Sequence, residues 1–389
     1  MNPVDNPFAP GAGTQPPELT GRDGVIDGAD IAVQRVLRGY HEKSQILLGL
    51  RGTGKTVLLN RFQEIAENHG HLTSFVEAPD DQSLARLLYP KLRQTIRQLS
   101  LIEDAKDKAY RAMQALRGFA SIFRLDIEGA TLSVDPEPGL ADSGDLEVDL
   151  TDLLLSVGET AKAGGKAWTL LLDEIQYLKT AELSALIVAI HRVNQKGLPI
   201  LFFGAGLPQI AALTGDAKYY SERLFNFPTI GPLGRVDAIS AIREPINDQG
   251  YEITDPALDA IFQATEGYPY FLQEWGYQVW NAADHSPIEV EIVNSADVEA
   301  LRRLDEGFFR VRFERLTPRE RDYVIAMARL GTGPYRSADV AEKLGEALTS
   351  LGPRRAAIIS KGMIYSPAHG DIAFTVPMFD SYLRRAFLV

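Results

Sequence analysis

The stretch ILLGLRGTGKTVLLN, residues 46–60, joins two apolar runs through a loop that holds three glycines in six residues. The run before the loop is typical of a buried strand, and the residues after it have the spacing of an amphipathic helix. Residues 49–56 fit the pattern G-x-x-x-x-G-K-[ST] in the strand, loop and helix context that this pattern requires. The stretch therefore predicts a phosphate-binding loop rather than a connecting turn.

The residue types of the loop predict its chemistry. Glycines let successive backbone N–H groups turn inward around phosphate oxygens, and the following helix presents its positive N-terminal end to the same anion. We expect Lys55 to reach the β- and γ-phosphates and the Thr56 hydroxyl to bind Mg²⁺. The predicted nucleotide contacts in the loop are Gly49, Arg51, Gly52, Thr53, Gly54, Lys55, Thr56 and Val57.

A second magnesium ligand is predicted in the apolar stretch WTLLLDEI, residues 168–175. Asp173 falls at the carboxyl end of a buried strand, where open parallel sheets bind their ligands. Glu174 follows directly, and its carboxylate is predicted to polarise the water that attacks the γ-phosphate. The alternative is that the Asp-Glu pair caps a helix.

Other nucleotide-using classes fit less well. A GTPase would carry a guanine-reading Asn/Thr-Lys-x-Asp stretch after a later strand, and NQKG at residues 194–197 does not match it. A small-molecule kinase usually lacks a glutamate beside the magnesium-binding aspartate. The sequence therefore favours an ATPase that uses ATP and Mg²⁺.

Strand-like and helix-like segments alternate through the first half of the chain, which predicts an α/β fold with a parallel sheet. The stretch after residue 120 interrupts this alternation and predicts a β-hairpin across residues 128–129, followed by an acidic loop. Segments from Arg235 to about Arg315 are all helical in pattern. The predicted domains are an extended Pro/Gly-rich arm (1–18), an ATPase core (19–232, with an insertion at 120–147), a helical lid (233–316) and a winged-helix domain (317–389).

Composition narrows the class of protein. The chain has 389 residues, no cysteine and a net charge of −12, which excludes disulfides and argues against a protein that coats nucleic acid. Residues 301–389 hold 15 basic against 10 acidic side chains, so only the tail is mildly basic. No apolar run approaches 18 residues, and we expect a cytoplasmic protein without a membrane partner.

Five stretches together resemble the AAA+ and STAND branches of the P-loop ATPases, particularly archaeal-type ATPases and ORC-like initiators. They are ELTGRDGVI, GLRGTGKT, LLLDEIQYL, YYSERLF and TEGYPYFLQ. The resemblance implies that Gly21 and Arg22 lie beside the adenine. It also implies that Arg223 acts at the γ-phosphate, often of a neighbouring subunit, and that Pro269 packs near the nucleotide. The alternatives are a surface salt bridge for Arg223 and a helix start for Pro269.

The tail resembles a winged helix, with helices predicted at 337–344 and about 353–361 and a wing around AHGD. Arg354, Arg355 and Lys361 are candidates for DNA phosphate contacts, and the alternative is a packing module. The strand LFFGAGLPQ has no polar residue before Gln209, a departure that favours a slow switch over a fast motor. The implied function is an ATP-hydrolysing switch in signalling or defence, with nucleotide-dependent homo-oligomers and an unknown protein partner. The competing function is an ATP-gated DNA initiator or loader.

Overall fold

The computed structural model describes residues 1–11, 13–79, 82–125, 138–218 and 221–387. These residues form two compact units, each with its own hydrophobic core. Gly24–Leu48 and Leu58–Thr229 make up one, here the sheet unit; Met1–Asp23, Gly49–Val57 and Ile230–Val389 make up the other, here the lid unit. The phosphate loop thus packs with the lid unit, although the strand before it belongs to the sheet unit.

The sheet unit is built on parallel strands. They are β1 (Ser44–Leu48), β2 (Leu72–Glu77), β3 (Trp168–Asp173), β4 (Ile200–Gly206) and β5 (Phe225–Asn226). Their order is β2-β3-β4-β1-β5, with β4 paired to β1 on one side and to β3 on the other. Leu48 is opposite Gly206 and Leu172 is opposite Gly204, so the carboxyl ends of β1, β3 and β4 share one edge. The predicted α/β fold with a parallel sheet is confirmed.

Helices that lie wholly or mostly in the sheet unit accompany this sheet. They are α1 (Asp23–Leu37), α2 (Lys55–Asn68), α3 (Leu84–Leu99), α4 (Lys106–Ile122), α5 (Leu146–Ala163), α6 (Thr180–Gln195), α7 (Ile210–Ala217) and α8 (Ser221–Leu224). Every residue of β1, β3 and β4 is buried, as the near-continuous apolar runs of these strands require. Trp168 and Phe202 are among the largest side chains in the shared core.

The first part of the lid unit beyond the loop is helical. Its helices are α9 (Arg235–Asp248), α10 (Asp255–Thr265), α11 (Pro269–Ala282), α12 (Val290–Arg303) and α13 (Arg310–Glu314). A π-helical turn, Leu304–Phe309, joins α12 to α13. The helical pattern predicted from Arg235 onward agrees with these bounds, whereas the domain boundaries remain predictions.

The tail adds helices and a small sheet to the same core. The elements are α14 (Pro318–Arg329), β6 (Tyr335–Arg336), α15 (Ser337–Leu344), α16 (Gly352–Ser360), β7 (Ile364–Tyr365), β8 (Asp371–Phe374) and α17 (Phe379–Phe387). The strands form an antiparallel sheet in the order β6-β8-β7. Both tail helices form where they were predicted, and the assignment of the tail as a winged helix stays a prediction.

Two further predictions concern segments that interrupt the alternating pattern. The β-hairpin at residues 128–129 lies outside the described residues. The N-terminal arm, by contrast, buries more than its composition indicates, because Phe8 is only 2% exposed within the lid-unit core. Within the described ranges, no helix has the length and apolarity needed to cross a membrane.

Candidate active site

The phosphate loop begins directly after β1 and ends where α2 starts at Lys55. Gly52 and Gly54 have φ angles of 81° and 90°, a left-handed region that side-chain-bearing residues rarely adopt. At Gly49, a Cβ atom would lie 2.2 Å from the carbonyl oxygen of Ile230, so no side chain fits there. Each motif glycine therefore meets a backbone requirement, two by conformation and one by close approach.

One peptide group of the loop is held from both sides. Its carbonyl oxygen, on Leu50, accepts a hydrogen bond of 2.8 Å from Lys55 Nζ. Its N–H, on Arg51, donates to the carbonyl oxygen of Thr375 at 3.0 Å. Because the peptide group is planar, these two contacts orient the same rigid plane. The loop lysine and the segment after β8 are thus linked through a single peptide.

The start of α11 holds a second peptide of the loop. The backbone N–H of Tyr270 donates to the carbonyl oxygen of Gly52 at 3.2 Å. Pro269 is the first residue of α11, where its fixed φ suits the helix and its missing N–H is not needed. The structure therefore shows the helix-start role of Pro269, and its contact with nucleotide stays a prediction.

Gly21 and Arg22 are anchored close to the phosphate loop. Gly21 has φ 70°, and a Cβ atom there would lie 2.7 Å from Asp237 Oδ2. The Arg22 guanidinium donates to the carbonyl oxygen of Gly231 and lies 3.5 Å from that of Thr53. Burial lowers the pKa of Arg22, and the Asp237 carboxylate partly offsets this effect. Within the lid unit, the predicted adenine-side segment is thus tied to the phosphate loop.

In the sheet unit, Asp173 and Glu174 stand at the carboxyl end of β3. Asp173 is 3% exposed, and its Oδ1 accepts a 2.8 Å hydrogen bond from the backbone N–H of Glu174. Glu174 has φ 54° and ψ 38°, a left-handed conformation that is uncommon for a residue with a side chain. Such backbone strain is concentrated at functional sites, which agrees with a catalytic role for Glu174.

Gln176 is a site residue that the sequence reasoning missed. Its Nε2 donates to Glu174 Oε2, and its Oε1 accepts from the backbone N–H of Leu207 at 3.2 Å. Gly206, the last residue of β4, leaves space for this side chain, because a Cβ atom there would lie 2.9 Å from Gln176 Oε1. A polar side chain from the segment after β3 thus lies at the end of β4, which has no polar side chain of its own there. The only signal was a glutamine two residues after the glutamate.

Comparison with known families decides the class of this region. Residues 18–203 match the AAA ATPase domain, a range that includes both the phosphate loop and the Asp-Glu strand end. These residues form an AAA ATPase domain. The protein is accordingly an ATPase, as the loop and the carboxylates predicted. Residues 306–383 match a second family, described as a domain of unknown function (DUF8462). No curated protein matches the chain.

Solved structures with a similar fold cover nearly the whole chain. The Walker-type ATPase PABY2304 of Pyrococcus abyssi aligns with a TM-score of 0.54 at 15% identity, over 95% of this chain and 97% of that one. The Thermotoga maritima RuvB Holliday junction branch migration motor aligns with a TM-score of 0.45 at 16% identity, over 94% of this chain and 95% of that one. The Aeropyrum pernix ORC1 protein in complex with DNA aligns with a TM-score of 0.46 at 13% identity, over 95% of this chain and 94% of that one. The first of these similarities shows a shared fold.

The donor chemistry of the AAA ATPase domain fits Mg²⁺ bound together with phosphate. A hydroxyl on Thr56 and a carboxylate on Asp173 are hard oxygen donors of the kind that Mg²⁺ prefers. Among the residues that the structure describes, no group of three or more His, Asp or Glu side chains could hold a metal ion. Mg²⁺ usually keeps several waters and takes phosphate oxygens of the substrate as ligands, so it needs few oxygens from the protein.

Arg223 follows the AAA ATPase domain in the chain and lies on α8. Its side chain is exposed. Burial lowers the pKa of the nearby His191, and the positive charges of Arg223 and Arg192 lower it further. Arg223 on α8 thus lies close enough to His191 on α6 for its charge to act on that imidazole.

The three basic candidates for DNA contacts all have partners within the tail. Arg354 forms two hydrogen bonds to Glu346, at 2.9 and 3.0 Å, and is 14% exposed as a side chain. Arg355 donates to Ser337 Oγ at 3.1 Å. Lys361 Nζ donates to Glu320 Oε2 at 2.6 Å. Each of these cations is engaged in holding the tail together.

Proposed function

We propose that this ATPase is a nucleotide-dependent molecular switch, in which the phosphate loop transmits its state to the lid helices and the tail. The observation that carries the proposal is the peptide between Leu50 and Arg51. Lys55 holds its carbonyl oxygen and Thr375 holds its N–H. When the Lys55 ammonium also binds phosphates, its contact with the Leu50 oxygen is drawn on by a second set of acceptors, whereas the anchor of the Arg51 N–H in the tail is unchanged.

In the proposed mechanism, the loop residues bind ATP and the strand-end residues hydrolyse it. Backbone N–H groups of the loop and the Lys55 ammonium bind the phosphates, with Gly21 and Arg22 at the adenine side. Thr56 and Asp173 would hold Mg²⁺, which when bound neutralises charge on the phosphate oxygens. Glu174 accepts a hydrogen bond from the attacking water and orients it toward the γ-phosphate. Asp173 helps to fix the backbone of Glu174 through the hydrogen bond to its N–H.

The Gly52 contact supplies a second route from loop to lid. The Gly52 carbonyl and the Thr53 N–H belong to one planar peptide and point in opposite directions. Because Tyr270 N–H binds that carbonyl, the Thr53 N–H is directed away from α11. Phosphate bound by the Thr53 N–H would therefore bias the position of the first turn of α11. In this way the first turn of the lid helix registers whether the loop is occupied.

We further propose that Arg223 acts on the γ-phosphate of a neighbouring copy in a nucleotide-dependent homo-oligomer. Its exposure on the short helix α8 supports this role. An arginine supplied in this way contributes about 10³–10⁵ in rate. Mixing Arg223→Ala with Lys55→Ala protein should restore part of the ATPase activity that each variant lacks. Unchanged activity on mixing, with a monomer under every nucleotide condition, would contradict the proposal.

DNA binding by the tail is the alternative function, and the ion pairs disfavour it. A phosphate contact by Arg354 or Lys361 would have to displace Glu346 or Glu320. The net charge of −12 adds a general repulsion. We therefore assign the tail chiefly to packing on the lid helices, through buried residues such as Ile358 and Met363. An unidentified protein partner in signalling or defence, inferred by family analogy, would read the switch.

Hydrogen exchange tests the switch directly on the full chain. With a non-hydrolysable ATP analogue and Mg²⁺, peptides that contain residues 49–57, 268–272 and 362–376 should change protection relative to the ADP state. In Lys55→Ala protein the nucleotide should cause no change in any of them. A change confined to residues 49–57 in the wild type would show ATP binding without transmission.

A salt titration with duplex DNA tests the alternative. We expect weak binding that falls as salt rises, because phosphate contacts release counterions. Sub-micromolar affinity at physiological salt, lost in the double variant Arg354→Ala/Arg355→Ala, would favour the DNA-binding function instead.

A further inference from the structure

The N-terminal arm lies along one face of helix α11. Phe8 is buried at 2% exposure, and a Cβ atom at Gly276 would lie 2.6 Å from its ring. Glycine at position 276 therefore leaves the space that the Phe8 ring occupies. Asn6 Nδ2 donates to the carbonyl oxygen of Tyr277 and to Asn281 Oδ1, both at 3.0 Å.

Two further hydrogen bonds extend this contact along the helix. Trp280 Nε1 donates to the carbonyl oxygen of Asn2 at 2.9 Å, and the N–H of Ala9 donates to Gln273 Oε1 at 3.3 Å. The helix positions involved, from 273 to 281, recur every three or four residues, which is the spacing of one helix face. The arm is thus fixed to α11 over about two turns, through a ring, two side-chain amides and an indole.

The arm then reaches the phosphate loop at Thr56. Gly13 has φ 72°, and a Cβ atom at that position would lie 3.2 Å from Thr56 Cγ2. This distance is shorter than ordinary van der Waals contact, so a side chain at position 13 would press on the threonine methyl group. A β-branched side chain has few χ1 rotamers, and a neighbour at its methyl group restricts them further. The direction of the Thr56 hydroxyl is coupled to that of its methyl group.

We propose that the N-terminal arm is a positioning strap, in which Phe8 anchors the arm on α11 and Gly13 fixes the Thr56 hydroxyl for Mg²⁺. This inference rests on the proposed role of Thr56 as a magnesium ligand. Mg²⁺ demands near-ideal octahedral geometry, so a small rotation of one ligand weakens its binding to the metal. The helix that anchors the strap also contacts the loop, because the Tyr270 N–H donates to the carbonyl oxygen of Gly52.

The test is the affinity for a fluorescent ADP analogue, measured across free Mg²⁺ concentrations and in EDTA. Gly13→Ala should raise, by roughly tenfold, the Mg²⁺ concentration at which half of the Mg²⁺-dependent gain in affinity for the analogue is reached. The affinity for the analogue in EDTA should stay within twofold of wild type. Phe8→Leu should give a smaller shift in the same direction. Gly39→Ala is the matched control, since Gly39 has φ 82° but no atom within 4 Å of an added Cβ. Val4→Ala is the control within the arm, because Val4 is 88% exposed.

Thr56→Ala separates this inference from the proposed function. If Thr56→Ala shifts the Mg²⁺ dependence and Gly13→Ala does not, the strap is wrong and the magnesium role of Thr56 stands. If Thr56→Ala leaves the Mg²⁺ dependence unchanged, the ligand assignment itself fails. An equal loss of affinity with Mg²⁺ and in EDTA for Gly13→Ala also contradicts the strap, because it would show a general defect of the loop. The melting temperature of Gly13→Ala should stay close to that of Gly39→Ala.

Discussion

The sheet unit and the lid unit hold their site residues by different means. In the sheet unit, Asp173 is the last residue of a strand buried at every position, and Gln176 ties Glu174 to the end of β4. In the lid unit, backbone hydrogen bonds from Tyr270 and to Thr375 hold the phosphate loop. Side chains on a rigid sheet suit chemistry that needs fixed geometry, whereas backbone contacts to several segments suit a loop that reports its occupancy.

The largest expected effect tests whether the sheet unit supplies the group that hydrolyses ATP. Glu174→Gln should reduce kcat about 10²–10⁴-fold, because the amide cannot act as a base toward the attacking water. Affinity for ATP should stay within about threefold of wild type in a nucleotide-binding titration. Glu159→Gln, an isosteric change at an exposed position of α5, is the control. Hydrolysis at the wild-type rate in Glu174→Gln would remove the catalytic assignment.

The next largest effect tests whether the phosphate loop of the lid unit binds ATP. Lys55→Ala should weaken ATP binding by at least about 100-fold, since charge-assisted hydrogen bonds to phosphate contribute about 1.5–3 kcal/mol each. Isothermal titration with a non-hydrolysable analogue measures it. Lys196→Ala, at an exposed lysine beyond the end of α6, should bind normally. Unaltered affinity in Lys55→Ala would show that the loop does not bind the nucleotide.

A pH effect should be specific to the sheet unit. His71 lies between Thr169 Oγ1 at 2.8 Å and the Val33 carbonyl oxygen at 3.1 Å. A carbonyl oxygen can only accept, so Nε2 carries the proton and Nδ1 accepts from the threonine hydroxyl. Burial lowers the pKa of His71 from 6.5 to about 4, which favours its neutral form in the folded state.

The sign of the pH effect follows from this lowered pKa. Between about pH 6.5 and pH 4 the unfolded chain binds a proton at His71 that the folded chain does not. Its contribution to stability is therefore fully present above pH 6.5 and is lost as the pH falls toward 4, on the order of 2–3 kcal/mol. Urea unfolding of wild type and His71→Gln, followed by circular dichroism, should show a smaller loss in the variant. If the stabilities of wild type and His71→Gln fell in parallel as the pH is lowered, His71 would not be the source of the pH effect.

The smallest expected effect tests whether Gln176 restrains Glu174 in the sheet unit. Gln176→Ala should lower kcat about three- to tenfold with little change in KM, because Glu174 loses one of its positional restraints. Gln176→Glu keeps the size but cannot donate when ionised, so it should be at least as slow. Steady-state kinetics at saturating Mg²⁺ separate the two parameters. A rise in KM without a fall in kcat would assign Gln176 to nucleotide binding instead.

Sequence reasoning predicted site residues wherever residue type and spacing indicate a chemistry, and their individual roles remain predictions. The loop pattern at 49–56, the strand-end pair Asp173 and Glu174 and the parallel sheet are local features, because glycine conformations and apolar runs depend on near neighbours in the chain. The α/β fold and the ATPase class could be predicted on that basis alone. The roles of Arg223 and Pro269 rested on resemblance, and they remain predictions.

Other features depended on contacts between residues far apart in the chain. No local pattern indicates that Gln176 meets Leu207, that Phe8 fills the space at Gly276, or that Arg51 binds Thr375. The basic residues of the tail illustrate the same point, since the sequence left DNA contact and packing as alternatives and only the fold shows Glu346 and Glu320 as partners of Arg354 and Lys361. The sequence by itself determined which chemistry is present. Tertiary structure decided what holds each group, because packing and hydrogen bonding over long sequence separations exist only once the chain is folded.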